Sequence, residues 1–431
     1  MNTGCTDKVI HSIHMIGTSH QRAPVEVRER LAVRLEKAGP VARLLTEEAG
    51  IQEAVVLSTR QRSEFYFLRS EPADGLALDS FWGRAFGIEP AHFRPFLYCL
   101  SGEEAVRHLF RVAAGLNSLI VGESLARQSA AEAFSQCAAH GAAGPTLQRV
   151  FEGALQCARR VSRETRLGRR NLSVGHAVVE LIEKIFGSLD GRTVVLLGAD
   201  QTCQSAARDL QRVAAERIYV AGAEEREAKD LVHKLGNNSA VVAWDNLREA
   251  ISQADVVIHA SDAERPVLQR SDYESIRAAR QKRPLFLLDL TVPRGIDPAL
   301  NGYGEVFLYN VDDMAIISSA YSRLYESEIS VAEALVRAEA DQFLHRFQED
   351  PLSNTLLALE EQLERIRQEQ LAKNRTTLRN LTTEQRQDVE RLTSAITRKI
   401  FHEVAHELKQ TGSDGDSGKL SEAVSLVLGL L

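Results

Sequence analysis

Apolar positions along the first 165 residues follow two periods. Short β-branched and aromatic runs (HMIGTS, AVVLST, FYFL) read as strands, whereas EEAVRHLFRVAAGLNSLIVGE and residues 146–165 repeat at helical spacing, which predicts an α+β domain. The polar LGRRNLS (167–173) then reads as a hinge, with Ser173 placed to cap a helix over VGHAVVELIEKIFGSL. Next, GRTVVLLGADQTCQSAARDLQRVAAERIYVAGA gives buried strand, turn, helix and second strand, the opening βαβ unit of a nucleotide-binding sheet. Further strands at AVVAW, DVVIHA and PLFLLDL, spaced by helical segments, extend it to a doubly wound, Rossmann-type domain.

From Asp312 the helical pattern meets almost no breaker until Pro351, about 39 residues and on the order of 55 Å if straight. A compact domain has no room for such a helix, so it predicts a spine. The amphipathic segments LSNTLLALEEQLERIRQEQLAKNR, TTEQRQDVERLTSAITRKIFHEVAHELK and SEAVSLVLGL would pack on it or on a second copy, with QTGSDGDSGK a flexible loop. The fold class is therefore multidomain α/β. Its parts are an N-terminal α+β domain (1–165), a Rossmann-type domain (166–311), and a long spinal helix with a helical tail (312–431).

Composition adds little that is specific. With 431 residues, 26% charged and 44% hydrophobic, and a net charge of −7, the chain is an ordinary globular one without the global basic excess of a nucleic-acid binder. Any RNA contact is local, and Arg159, Arg160, Arg163, Arg166, Arg169 and Arg170 form the one basic cluster that could meet phosphates; alone, the cluster reads as a solvated helix face. The cysteines Cys5, Cys99, Cys137, Cys157 and Cys203 show no CxxC and no metal-ligand spacing, which argues for free thiols in a reducing compartment. The N-terminus lacks the order of a signal peptide, and no run approaches the roughly 18 apolar residues of a membrane helix, so a cytoplasmic protein off the membrane is expected.

The stretch LSTRQRSEFY (57–66) carries the chemistry. An apolar strand runs into a tight polar turn and a second strand runs out, and Arg60 and Arg62 project from the turn. They are either surface cations on a solvated hairpin tip or groups presented into a cleft.

Together with this turn, GTSHQRAPVEVRERL (17–31), AVRHLFRVAAGLNSLIVGE (105–123), SRETRLGRRNLSVGHAVVEL (162–181) and PLFLLDLTVPRGIDPAL (284–300) resemble, in order and spacing, the signature blocks of the glutamyl-tRNA reductase family. The resemblance covers nearly the whole chain. It implies a homodimer acting on glutamyl-tRNA(Glu): a cysteine thiolate takes the glutamyl group, and NADPH reduces the thioester to glutamate 1-semialdehyde, which begins tetrapyrrole (porphyrin) synthesis. It also implies substrate-binding roles for Thr59, Gln61, Arg62, Ser118 and Glu123, a role in activity for His108 as a proton carrier, and a helical dimerisation domain at the C-terminus.

Three departures bear on that chemistry. The family's STCNR reads STRQR here, so Arg60 occupies the nucleophile position, and a guanidinium stays protonated and cannot form an acyl intermediate. GEPQ becomes GESL, placing Leu125 and, further on, Ser129 where substrate-binding amides are expected. The nucleotide loop GAGEMG becomes GADQTC, the cofactor-binding positions Gly198, Ala199, Asp200, Gln201, Thr202 and Cys203, with a carboxylate where a pyrophosphate would approach the backbone. Cys99 and Cys203 are the candidates for a relocated thiol; buried core thiols are the other reading. Two functions follow: a reductase using altered chemistry, or a non-catalytic paralogue that binds glutamyl-tRNA, haem or an active reductase subunit, the last as a heterodimer. At the old nucleophile position, Arg60 is expected to lie beside Arg62 and make an anion site of the two cations.

Overall fold

The computed structural model describes residues 10–412 apart from 49–50, 70–77, 124, 168–173, 214, 223, 237, 262–265, 315–322, 324, 350, 375–377 and 379–380. The Ser173 cap, Cys5, Arg169, Arg170, the SEAVSLVLGL segment and most of the QTGSDGDSGK loop lie outside the described residues.

The N-terminal part is built on an antiparallel sheet of β1 (Ile13–Ser19), β2 (Ile51–Ser58), β3 (Arg62–Arg69) and β4 (Tyr98–Ser101), in the order β2-β3-β1-β4. Both faces are covered, because successive side chains of a strand point to opposite sides. Phe65 of β3 packs edge-on against Phe81, Trp82 and Phe86 of the Asp79–Phe86 helix, while Tyr66 meets Phe151 of the Pro145–Glu164 helix on the other side. That period of two places Arg62, Glu64 and Tyr66 on one buried face, an arrangement that sets the site described below.

The second sheet is wholly parallel. Its strands are β5 (Thr193–Leu197), β6 (Arg217–Ala221), β7 (Ser239–Val241), β8 (Val256–His259), β9 (Leu285–Asp289) and β10 (Val306–Asn310), in the order β10-β9-β8-β5-β6-β7. Helices cover both faces: Val194 and Leu196 join a core with Val178, Ile182 and Leu210, and Val195 and Leu197 join another with Ile251 and Tyr273. This is the doubly wound architecture expected from the strand–helix alternation. The sequence pattern missed β10, a short edge strand whose Phe307 is exposed.

Among the described residues the start of the predicted spinal helix is not α-helical. Residues Val311–Met314 form a 3-10 turn, and the described helix runs over Glu326–Glu349, 24 residues or about 36 Å. Side chains near 312 are engaged elsewhere: Asp312 accepts from the backbone N–H of Val25 at 2.8 Å and from Arg28, and Asp313 accepts from that of Asn310 at 2.7 Å. Such bonds offer the backbone an alternative to helix. From 326 on, Ala332, Val336, Ala340, Leu344 and Phe347 recur on one face and belong to the N-terminal core. The Pro351–Lys373 and Thr383–Gly412 helices follow, the second with Leu392, Ile396 and Ile400 exposed at four-residue spacing. No helix among the described residues is long and apolar enough to cross a membrane.

Candidate functional site

The β2–β3 hairpin turns through Thr59, Arg60 and Gln61, closed by Thr59 N–H donating to the Arg62 carbonyl at 2.8 Å. It is not a solvated tip. Arg62 is 4% exposed, and the Arg60 side chain, 24% exposed, reaches across to the parallel-sheet part of the molecule. There its Nη1 donates to Thr202 Oγ1 at 2.7 Å and its Nη2 pairs with the Asp200 carboxylate. The turn is also held from beneath, because the buried Arg28 donates to the Arg60 carbonyl at 3.2 Å.

Arg62 faces elsewhere, which corrects the expectation of one anion site built from both cations. Its Nη1 donates to Glu64 Oε1 at 2.8 Å, and its Nη2 donates to the Asn117 carbonyl. Glu64 is completely buried, and around it converge the hydroxyls of Tyr98 (2.5 Å) and Tyr66 (2.7 Å) and Nε2 of His108 (2.9 Å). Burial opposes its charge, but Arg62, His108 and the Tyr98 hydrogen bond outweigh burial and hold this carboxyl far below the ordinary carboxylate range. The opposite holds for Tyr66 and Tyr98, which burial and the adjacent Glu64 charge push up.

His108, on the Gly102–Ala113 helix, has both ring nitrogens engaged. Arg111 Nε donates to Asn117 Oδ1 at 3.2 Å, which turns the Asn117 amide nitrogen toward His108 Nδ1 at 3.4 Å. Glu64 and Asn117 thus occupy its two ring nitrogens. His108 therefore orders the Arg62–Glu64 pair, and in this arrangement it offers no nitrogen to the turn.

The remaining substrate positions form a second buried cluster. Gln61 donates through Nε2 to Glu123 at 2.7 Å and accepts from Leu119 N–H at 2.7 Å, while Thr59 Oγ1 accepts from the Gln61 backbone at 3.2 Å. Glu123 is brought there by the tight 115–123 turn, in which Gly115 has φ +74° and a Cβ would stand 2.9 Å from the Glu123 carbonyl. Burial pushes its carboxyl up, against the pull of Gln61, Arg60 and Arg62. Ser118 is buried in the same turn, and Leu125 and Ser129 lie half-buried on the Leu125–Ala139 helix.

His20 closes the cluster, its N–H bonded to the Gln61 carbonyl at 2.7 Å. Burial, with Arg62 and Arg28 adding to it, pushes its imidazole down to about 4 from the usual 6.5. Its ring resonances should titrate near pH 4 in an NMR pH series, and a midpoint near 6.5 would contradict this placement. The sign follows: the unfolded chain takes up this proton near 6.5 and the folded chain near 4, so folding stability falls as pH drops through that window.

The nucleotide loop leaves β5 at Gly198, where φ is +117° and an added Cβ would stand 2.6 Å from the Ala260 carbonyl, so no side chain fits. Ala199 follows it, buried. Asp200 then caps the Gln201–Arg212 helix, its Oδ1 accepting from Cys203 N–H at 2.8 Å. A dinucleotide's pyrophosphate uses such first-turn amides, and here the Asp200 carboxylate already takes one of them and sets like charge beside the rest.

Neither candidate thiol is activated. Cys203 is completely buried beneath the loop, and burial, with the Asp200 charge adding to it, pushes its thiol well up; Cys99 is exposed on β4, and the partial desolvation there pushes its thiol up as well. Native protein at pH 7.5 should alkylate at Cys203 at less than about one-hundredth the rate of free cysteine, as mass spectrometry of iodoacetamide-treated samples would report. Labelling of Cys203 as fast as free thiol would contradict this.

Sequence reasoning missed Glu64, Tyr98 and Asn117. The signal for Glu64 was the polar series Arg62, Glu64, Tyr66 at every second position within the apolar run of β3.

Residues 16–165 match the family model described as Glutamyl-tRNAGlu reductase, N-terminal domain, residues 180–317 that for Shikimate / quinate 5-dehydrogenase, and residues 331–430 that for Glutamyl-tRNAGlu reductase, dimerisation domain. Over 401 residues (93% of this chain, 90% of the relative) the sequence is 36% identical to glutamyl-tRNA reductase of Syntrophotalea carbinolica. It is 33% identical over 417 residues (96% and 94%) to glutamyl-tRNA reductase 2 of Koribacter versatilis. A solved structure, glutamyl-tRNA reductase from Methanopyrus kandleri, aligns with TM-score 0.44 and 26% identity over 97% of this chain and 99% of that one.

Proposed function

The chain belongs to the glutamyl-tRNA reductase family, and we propose that it serves tetrapyrrole biosynthesis by binding glutamyl-tRNA without reducing it. The observation that carries this reading is the engagement of Arg60, at the nucleophile position, with Asp200 and Thr202. A guanidinium has no lone pair to give the ester carbonyl, so no thioester forms at the turn and there is nothing for NADPH to reduce. The nearby side chains do not take over: His108 is held between Glu64 and Asn117, and the Cys203 thiol is buried and protonated.

What the chain retains is binding surface. Arg159, Arg163 and Arg166 are exposed on and just after the Pro145–Glu164 helix, Arg166 with a long 3.7 Å pair to Glu328, while Arg160 is drawn into closer pairs with Glu164 and Glu339. We assign the three exposed arginines to tRNA phosphates. The dimerisation domain pairs the chain with a second copy or with an active reductase subunit.

Filter binding of charged glutamyl-tRNA across a salt series tests this. Unmodified protein should bind, and the Arg159→Ala/Arg163→Ala/Arg166→Ala variant should bind more weakly, with the slope of log K against log salt reduced by about 2 to 3. Absence of binding by the unmodified protein, or an unchanged slope in the variant, would overturn the assignment.

A further inference from the structure

We infer that Arg60, Asp200 and Thr202 form an interdomain clasp in which the Asp200 carboxylate stands where a dinucleotide's pyrophosphate would be held, so that Asp200 keeps nucleotide out of the loop while Arg60 and Thr202 hold the loop against the N-terminal part. The inference deepens the binding reading of the same site.

Three consecutive residues at the start of the Gln201–Arg212 helix bond across to the N-terminal part. Asp200 pairs with Arg60, Gln201 donates to Gln128 at 2.9 Å, and Thr202 accepts from Arg60 at 2.7 Å. The two ion-pair partners are 24% and 30% exposed, shielded enough for their attraction to exceed that of a surface pair. One Asp200 oxygen takes the Cys203 amide at the helix N-terminus, where an anion would otherwise bind, and the other pairs with Arg60. The chain thus supplies its own anion to its own nucleotide loop.

The clasp has a fixed base. Arg28, itself 1% exposed, holds the Arg60 carbonyl and also bonds Asp312 and the Ala23 carbonyl, so the turn does not drift away from the loop. The departures from the family pattern at positions 60 and 200 therefore explain each other. A thiol at 60 and a glycine at 200 could not make this contact, and either change alone would leave a charge facing the cleft unpaired.

The test is a double-mutant cycle read by hydrogen exchange and nucleotide binding. Asn caps a helix as well as Asp does, so Asp200→Asn removes the charge and keeps the cap. Arg60→Gln and Asp200→Asn should each speed exchange of the amides of residues 201–204 by about five- to a hundredfold, and the double variant no more than either. Asp200→Gly should bind NADPH at least about tenfold more tightly than the unmodified protein, whereas Arg60→Gln, which leaves the carboxylate without its counterion, should not gain affinity. Unchanged exchange in the single variants, additive effects in the double variant, or equal NADPH affinity for Asp200→Gly and unmodified protein would each overturn the inference. None of these readouts involves tRNA, so failure of tRNA binding would leave the clasp standing.

Discussion

Glu64→Ala is expected to cost about 3–5 kcal/mol of folding stability, the usual penalty for stranding a buried charge. Among the described residues Glu64 is the only carboxylate bonded to Arg62, which is 4% exposed, and the same substitution removes the partner of Tyr66, Tyr98 and His108. For a core of this size the loss should appear as a fall in Tm on the order of 10 °C. Glu64→Gln keeps the shape but loses the charge, and should fall between Ala and the native residue. Urea unfolding of the three proteins measures the differences, and a loss below about 1 kcal/mol in the Ala variant would show that Arg62 finds another counterion. Acid should act in the same direction. The folded-state value of Glu64 is held below its unfolded value near 4.5, so this stabilisation is fully present above pH 4.5 and is lost as pH falls below it.

Arg60→Cys is expected to capture a glutamyl group covalently where the unmodified protein captures none, a difference of about 10⁴ to 10⁶ in acylation rate. The substitution returns a nucleophile to a turn whose backbone the buried Arg28 holds in place. It also dissolves the clasp. Asp200 remains at the loop, so we expect acylation without efficient NADPH-dependent release, and release only after Asp200→Gly is added. Quenched reactions with tRNA carrying radiolabelled glutamate, resolved on acidic gels, measure the acyl-protein. Equal labelling of the unmodified protein would mean that some other group accepts the acyl chain.

Much of the architecture was legible because it rests on local pattern. The alternation of buried strands and helices over 191–290 marked a doubly wound sheet, and the β2–β3 hairpin followed from apolar runs on either side of a polar turn. Single residues at the site were legible as departures: Arg60 and Asp200 could each be seen to break the expected chemistry. That they touch could not be read, since 140 positions separate them and only the packing of two domains brings them together. Arg62 misled for a related reason. Its partner Glu64 lies two residues away on the same face of β3, so an expected ligand-binding cation is spent within its own strand. The spinal helix failed at its start because Asp312 and Asp313 bond to Val25 and Asn310, competition that helical periodicity does not register.

The most direct measurement is NADPH-dependent formation of glutamate 1-semialdehyde by the purified, unmodified protein supplied with charged glutamyl-tRNA. Our account predicts no product above the protein-free control, with the glutamyl-tRNA recovered bound and intact. Sustained formation of more than one product per protein molecule would contradict it, because a chain with Arg60 at the turn would then reduce its substrate by a route that needs no thioester there.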